Sequence, residues 1–218
     1  MSYEIVELIG NLILGYGITI GLIKYKCLDK GARIILLLIV VAAIAEQLAS
    51  YFAYKIRNNY YVYGIYNPIQ LVIISWYYNT TIDRFKINNA GIIIGLTGAV
   101  FGIINYLFIQ SPKVMNSYFL LTECLIIIAY SLYFFYRLLL GDDDIKLFAN
   151  PNFWFASLFL FYWTGTFLIW GMYDYLRFNV VGSSSLVHIL LLIVSVITYI
   201  GFGTVFLLYK KIQTTDGR

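Results

Sequence analysis

The sequence predicts an all-α, polytopic membrane protein with seven transmembrane helices, the N-terminus outside and the C-terminus in the cytoplasm, forming a single domain over residues 1–218. Three observations carry that expectation. The chain is 61% hydrophobic and only 12% charged, against roughly 25% charged in a soluble domain. Apolar runs of about 20 residues, each long enough to cross a bilayer as a helix, recur along the whole length. The breaks between them are short and polar, which leaves no room for a soluble domain. The mean hydropathy of +0.80 agrees.

Taken in order, the first helix spans about Ile5 to Ile23 and is followed by Lys24, Lys26, Lys30 and Arg33. The N-terminal residues lack the basic region of a secretory signal, so this helix is expected to remain in the mature protein. The second runs from about Ile34 to Tyr54 and carries Glu46; the third covers Tyr60 to Asn79 with Pro68 in its middle; the fourth covers Asn89 to Phe108. Ser111-Pro112 reads as an N-cap followed by proline at the first helical position, so the fifth helix is expected from there to Leu139. Asn150-Pro151 repeats that signal at the head of the sixth, which ends near Tyr175, and the seventh runs from Ser184 to Leu208. Basic residues prefer the cytoplasmic side. With the N-terminus outside, only Lys55, Arg57, Lys113 and Arg177 of the 15 Lys and Arg fall on the outer face. This topology accounts for the net charge of +4 without a nucleic-acid partner.

Glycines recur at Gly10, Gly15, Gly17 and Gly21 in the first helix, and at Gly91, Gly95, Gly98 and Gly102 on one face of the fourth. Such faces let helices approach closely in lipid, within one chain or between protomers of a homo-oligomer. Tyr, Phe and Trp gather near helix ends, as an interfacial belt does.

Ionisable groups inside a span cost roughly 2.5 to 3.5 kcal/mol on insertion scales and mark functional sites by default. Glu46, Glu123 and His188 stand out. Gln70 sits at comparable depth to the two acids, with Asn67 beside it. Pro68 cannot donate a hydrogen bond to the Gly64 carbonyl, so it is expected to kink the third helix next to these polar groups. The expected site is an outward-facing polar pocket of Glu46, Asn67, Gln70, Glu123 and His188, with Tyr63, Tyr66 and Asp174 at its mouth. The opposing expectation is that the acids are hydrogen-bonded to neighbours and fix helix register.

Several chemistries are excluded. One histidine cannot build a multi-histidine zinc centre or bis-histidine haem site. The last helix has no lysine for a retinal Schiff base. Neither a Gly-x-Ser-x-Gly elbow nor a Walker loop occurs. Two cysteines in unlike surroundings are expected to form no disulfide and no thiolate metal site. Asp142 to Asp144 is expected to be a solvated loop. No catalytic residue, metal or cofactor is expected.

Asn150-Pro-Asn-Phe-Trp154, Tyr162-Trp-Thr-Gly165, Glu46 ahead of an aromatic helix end and Val187-His188-Ile together resemble a group of small uncharacterised seven-helix bacterial membrane proteins. The chain departs from that group at Gln70, where an acid is usual. The resemblance implies seven helices and a bacterial inner membrane, and no particular activity. The function expected first is a receptor-like sensory or regulatory module acting through a cytoplasmic or membrane protein partner. Second is a small-solute or proton transporter or channel using Glu46 and Glu123, and last is a lipid enzyme.

Overall fold

The computed structural model describes residues 3–111, 113–140, 147–173 and 183–214. Asp142 to Asp144 and Asp174 lie outside them. The described residues are helical, with no strand among them. The helices are α1 (Tyr3–Ile23), α2 (Lys30–Ile56), α3 (Tyr60–Thr81), the short α4 (Asp83–Asn88), α5 (Ala90–Ile104), α6 (Ser117–Leu139), α7 (Pro151–Gly171) and α8 (Ser183–Thr214). Five helical stretches are long and apolar enough to cross a membrane: Lys30–Ile56, Ala90–Ile109, Ser117–Leu139, Pro151–Gly171 and Leu186–Ile212. Leu8–Ile23 is a shorter apolar helix. The remaining long helix, α3, has 22 residues but is rich in Tyr, Asn and Gln, which lowers its hydropathy.

Local chemistry explains most boundaries. The Asp29 side chain accepts from Ala32 N at 2.7 Å and starts α2 at Lys30, one turn earlier than expected, so Lys30 and Arg33 are helical. Asn150 accepts from Asn152 N at 2.9 Å with Pro151 in the first turn of α7, as the sequence signal requires. The same signal fails at Ser111-Pro112. There the Ser111 hydroxyl accepts from Lys113 N at 3.3 Å, its carbonyl accepts from Val114 N at 2.9 Å, and α6 begins only at Ser117. The serine closes a local turn because the helix start is held by other groups, described below.

The chain divides into two compact units, Gly21–Glu123 and Met1–Ile20 with Cys124–Arg218. In the first, α3 packs on α2 on one side and on α5 on another. Backbone approach to α5 is close because of its glycines. A Cβ on Gly95 would lie 2.4 Å from the Ser75 Cβ, and one on Gly91 would lie 2.9 Å from the Asn79 Cβ. Gly98 and Gly102 continue the buried stripe. In the second unit α7 packs on α8 through an aromatic seam in which Phe155 meets Phe202 and Phe206, and Phe159 meets Phe202. Gly165 faces Val194, Gly201 faces Leu158, and the Tyr16 ring of α1 lies on Gly203. The glycines of α1 depart from the expected packing face. Gly21 meets Leu36, but Gly10 and Gly15 open onto empty space among the described residues.

Gly95→Ala forces apart the Ser75 contact and is expected to cost about 1–3 kcal/mol, as overpacking does. Gly15→Ala, with open space around it, should cost nothing. Thermal unfolding of both variants in detergent micelles checks the contrast; equal midpoints would contradict the close α3–α5 approach.

Candidate functional site

The polar residues of the Gly21–Glu123 unit are set by α3. Tyr63, Asn67 and Gln70 recur at the spacing that keeps side chains on one helix face. The Tyr63 hydroxyl donates to the Glu46 carboxylate of α2, at 3.2 Å to Oε1 and 3.1 Å to Oε2. Glu46 is exposed, whereas Asn67 and Gln70 are each only 7% exposed and Tyr66 is buried. α3 runs through the buried Pro68 without interruption. The proline still removes one donor, so the Gly64 carbonyl has no α-helical partner. The Tyr106 ring packs directly on Gly64, in space that a Cβ would take.

Helix register fixes the depth of each group. Gly64 lies opposite Tyr106, Ser75 opposite Gly95 and Asn79 opposite Gly91, so α3 and α5 run antiparallel in one unbroken register. Gly98 therefore lies opposite Val72. On α6 the Phe119 ring sits on Gly102 and the Asn116 amide donates to the Gly102 carbonyl at 3.2 Å. One turn farther along α6, Glu123 comes level with Gly98, and so about 3 Å along the axis from Gln70. Tyr63 and its partner Glu46 lie about 13 Å away along the same axis. Glu46, Asn67, Gln70 and Glu123 are thus staggered along the helix axis, with Glu46 level with the first turn of α3 and Glu123 near its middle.

Glu123 is fully buried, and neither carboxyl oxygen has a hydrogen-bond partner among the described residues. Because α6 starts at Ser117, Glu123 is only about 9 Å from its N-terminus, shallower than a start at Ser111 implies. A buried polar group left without a partner costs roughly 2 kcal/mol or more. The buried face of α6 that carries it continues apolar, through Cys124 and Ile127.

Sequence reasoning missed the groups that hold this acid at its depth. α5 ends in a π turn, Asn105–Ile109, closed by Gln110 N donating to the Asn105 carbonyl at 2.8 Å. The wide turn accompanies a buried amide cluster. The Asn105 side-chain amide donates to Gln110 Oε1 at 2.8 Å and to Asn116 Oδ1. Gln110 in turn donates to Ser117 Oγ at 3.0 Å and accepts from Tyr118 N at 3.2 Å. Gln110 thereby caps a backbone donor in the first turn of α6, and Asn116 ties the residue before that helix to Gly102. The signal was present as amide residues on both sides of Ser111-Pro112, but capping rules favour the nearer serine.

His188 belongs to the other unit, where it is exposed on α8. Thr166 of α7 is 4% exposed and its hydroxyl has no partner among the described residues. No group of three or more His, Cys, Asp or Glu among the described residues is placed to hold a metal ion. The chain matches no protein-family model, no curated protein and no solved structure.

Asn116→Leu removes one of the two acceptors of the Asn105 amide and the side-chain donor to the Gly102 carbonyl, and is expected to cost about 1 kcal/mol. Hydrogen exchange should show the amides of Gln110 and Tyr118 losing protection before those of α3. Uniform loss across the unit would contradict a local tie.

Proposed function

We propose that the protein is a seven-span membrane protein of the bacterial inner membrane, N-terminus outside and C-terminus in the cytoplasm, and that it works as a receptor-like regulatory module acting through a protein partner. The single observation carrying this reading is Glu123: an acid wholly enclosed at membrane depth, with both oxygens open to a donor. A group kept in that condition is suited to receive a small hydrogen-bonding or cationic ligand, because binding removes a standing desolvation cost. The line from Glu46 through Asn67 and Gln70 supports an approach from the α3 N-terminal end. On α3 the buried polar positions continue past Ile74 through Ser75 and Asn79, whose Oγ and Oδ1 have no partner among the described residues. α6 transmits the event, since its first turns through Glu123 belong to one compact unit and the rest to the other. At 22 residues α3 is about 33 Å long, enough for a span despite its polarity, and with α1 it brings the number to seven.

Topology is checked with the native thiol of Cys27, which follows α1, and Lys113→Cys in the turn before α6. A membrane-impermeant maleimide should label Lys113→Cys in intact cells and reach Cys27 only after permeabilisation. The reverse pattern overturns the orientation.

The regulatory reading is tested by crosslinking and purifying the full chain from native membranes. One partner should copurify with the wild type, several-fold less or more with Glu123→Gln, and unchanged with His188→Gln at the exposed position. No partner, or equal recovery with Glu123→Gln, overturns it. The polar line itself favours a second reading, proton or small-solute transport. Proton flux into proteoliposomes above that of empty vesicles, abolished by Glu123→Gln, would establish transport in place of regulation.

A further inference from the structure

The cations at the α2 N-terminal end of the Gly21–Glu123 unit are gathered more tightly than topology demands. α1 ends at Ile23 and a single 3-10 turn, Tyr25–Cys27, leads into α2, so Lys24, Lys26, Lys30 and Arg33 follow within one reversal of the chain. The Tyr63–Glu46 bond sets α2 antiparallel to α3 and brings Leu28 opposite Thr81. Leu28 and Ile82 are both buried there, 2% and 3% exposed. The α3–α4 junction with Arg84 therefore lies at the same end as the first basic loop. Six cations share this end with two carboxylates, and both carboxylates are engaged. Asp29 caps Ala32, and Asp83 pairs with Lys86 at 2.8 Å. Lys24, Lys26, Lys30, Arg33 and Arg84 keep no acidic partner among the described residues.

The apolar surroundings point to the nature of what neutralises them. The Arg33 guanidinium lies over the Tyr25 ring, 4.7 Å from its centroid, which holds its planar fork in place and leaves its donors outward. Leu22, Ile23 and Tyr25 are exposed beside the lysines, and Ile87 of α4 is 80% exposed. An acidic protein surface complements the charges but gives these side chains no apolar phase. A phospholipid with a net negative headgroup complements both, placing phosphate oxygens against Lys and Arg and acyl chain against Ile23 and Ile87. We infer that the end of the molecule formed by the Lys24–Arg33 segment and α4 is a binding surface for an anionic phospholipid of the adjoining leaflet. This goes beyond the regulatory reading and depends only on the protein lying in a bilayer.

The full chain is placed in nanodiscs of phosphatidylcholine alone or mixed with phosphatidylglycerol, and its thermal midpoint is measured. The anionic lipid should raise the midpoint of the wild type by several degrees, and the rise should vanish at about 1 M salt, where the Debye length falls to about 3 Å. Lys24→Gln, Lys26→Gln and Lys30→Gln combined should remove most of the rise, whereas Lys210→Gln with Lys211→Gln, cations of the other unit, should keep it. Native mass spectrometry should find phosphatidylglycerol retained several-fold more by the wild type than by the triple variant. Should the triple variant fold poorly in phosphatidylcholine, Arg84→Gln alone supplies the comparison, with a smaller loss expected. The proposal is overturned by an equal rise in both sets of variants, by a rise that persists at high salt, or by inorganic phosphate reproducing it in phosphatidylcholine. The last outcome would mean a free anion site.

Discussion

The close approach of α3 to the glycine face of α5 sets the positions of nearly everything else in the Gly21–Glu123 unit. Gly91 and Gly95 let Ser75 and Asn79 come within contact of the α5 backbone, and side chains of any size there would push the helices apart. Helices in lipid lack the hydrophobic drive that water supplies, so van der Waals contact of this kind carries much of the packing. Once the pair is in register, Gly64 receives the Tyr106 ring, Gly102 receives Phe119, and Glu123 follows at the level of Gly98. The depth of the acid is therefore a consequence of where small residues stand on another helix.

Against that tightly packed pair, the polar groups divide into satisfied and unsatisfied sets. Asn105 donates to Gln110 and Asn116, Gln110 accepts from Tyr118 N and Asn116 donates to the Gly102 carbonyl, while Asn105 Oδ1, Ser75 Oγ and Asn79 Oδ1 have no partner among the described residues. Glu46 has the Tyr63 hydroxyl. Glu123 lies beyond both, held at a fixed depth by a cluster that does not reach it. A rigid frame around an open acceptor is the arrangement that favours recognition of one donor geometry, since little ordering remains to be done on binding.

How far the sequence foretold this depends on whether the signal was local. Hydropathy located the long helices because apolar runs and helix spans share one length scale. Asn150-Pro151 was legible as a helix start since nothing nearby competes for the backbone donors it caps. Ser111-Pro112 carries the same kind of signal and fails, because Gln110 takes the Tyr118 donor and Asn105 and Asn116 bind each other, a pairing that capping rules do not weigh. The stripe Gly91 to Gly102, spaced by three and four, was readable as a packing face, while Gly10 and Gly15, five apart, meet nothing among the described residues. Glu123 was singled out correctly as a buried acid, but its partners in depth, Gln70 and Gly98, follow only from the crossing of three helices. His188, expected in the site as an ionisable group inside the last span, is an exposed residue of α8.

Helix lengths add a mechanical consequence. The 27 residues of α2 and the 32 of α8 correspond to about 40 and 48 Å, against a hydrocarbon core of about 30 Å. Each must tilt, or carry its terminal turns out among the headgroups, and the balance between these shifts with bilayer thickness. A thinner membrane would lean α2 further over and, through the Tyr63–Glu46 bond, draw the head of α3 with it. For helices of this length in a bilayer, tilt is the quantity that hydrocarbon thickness sets.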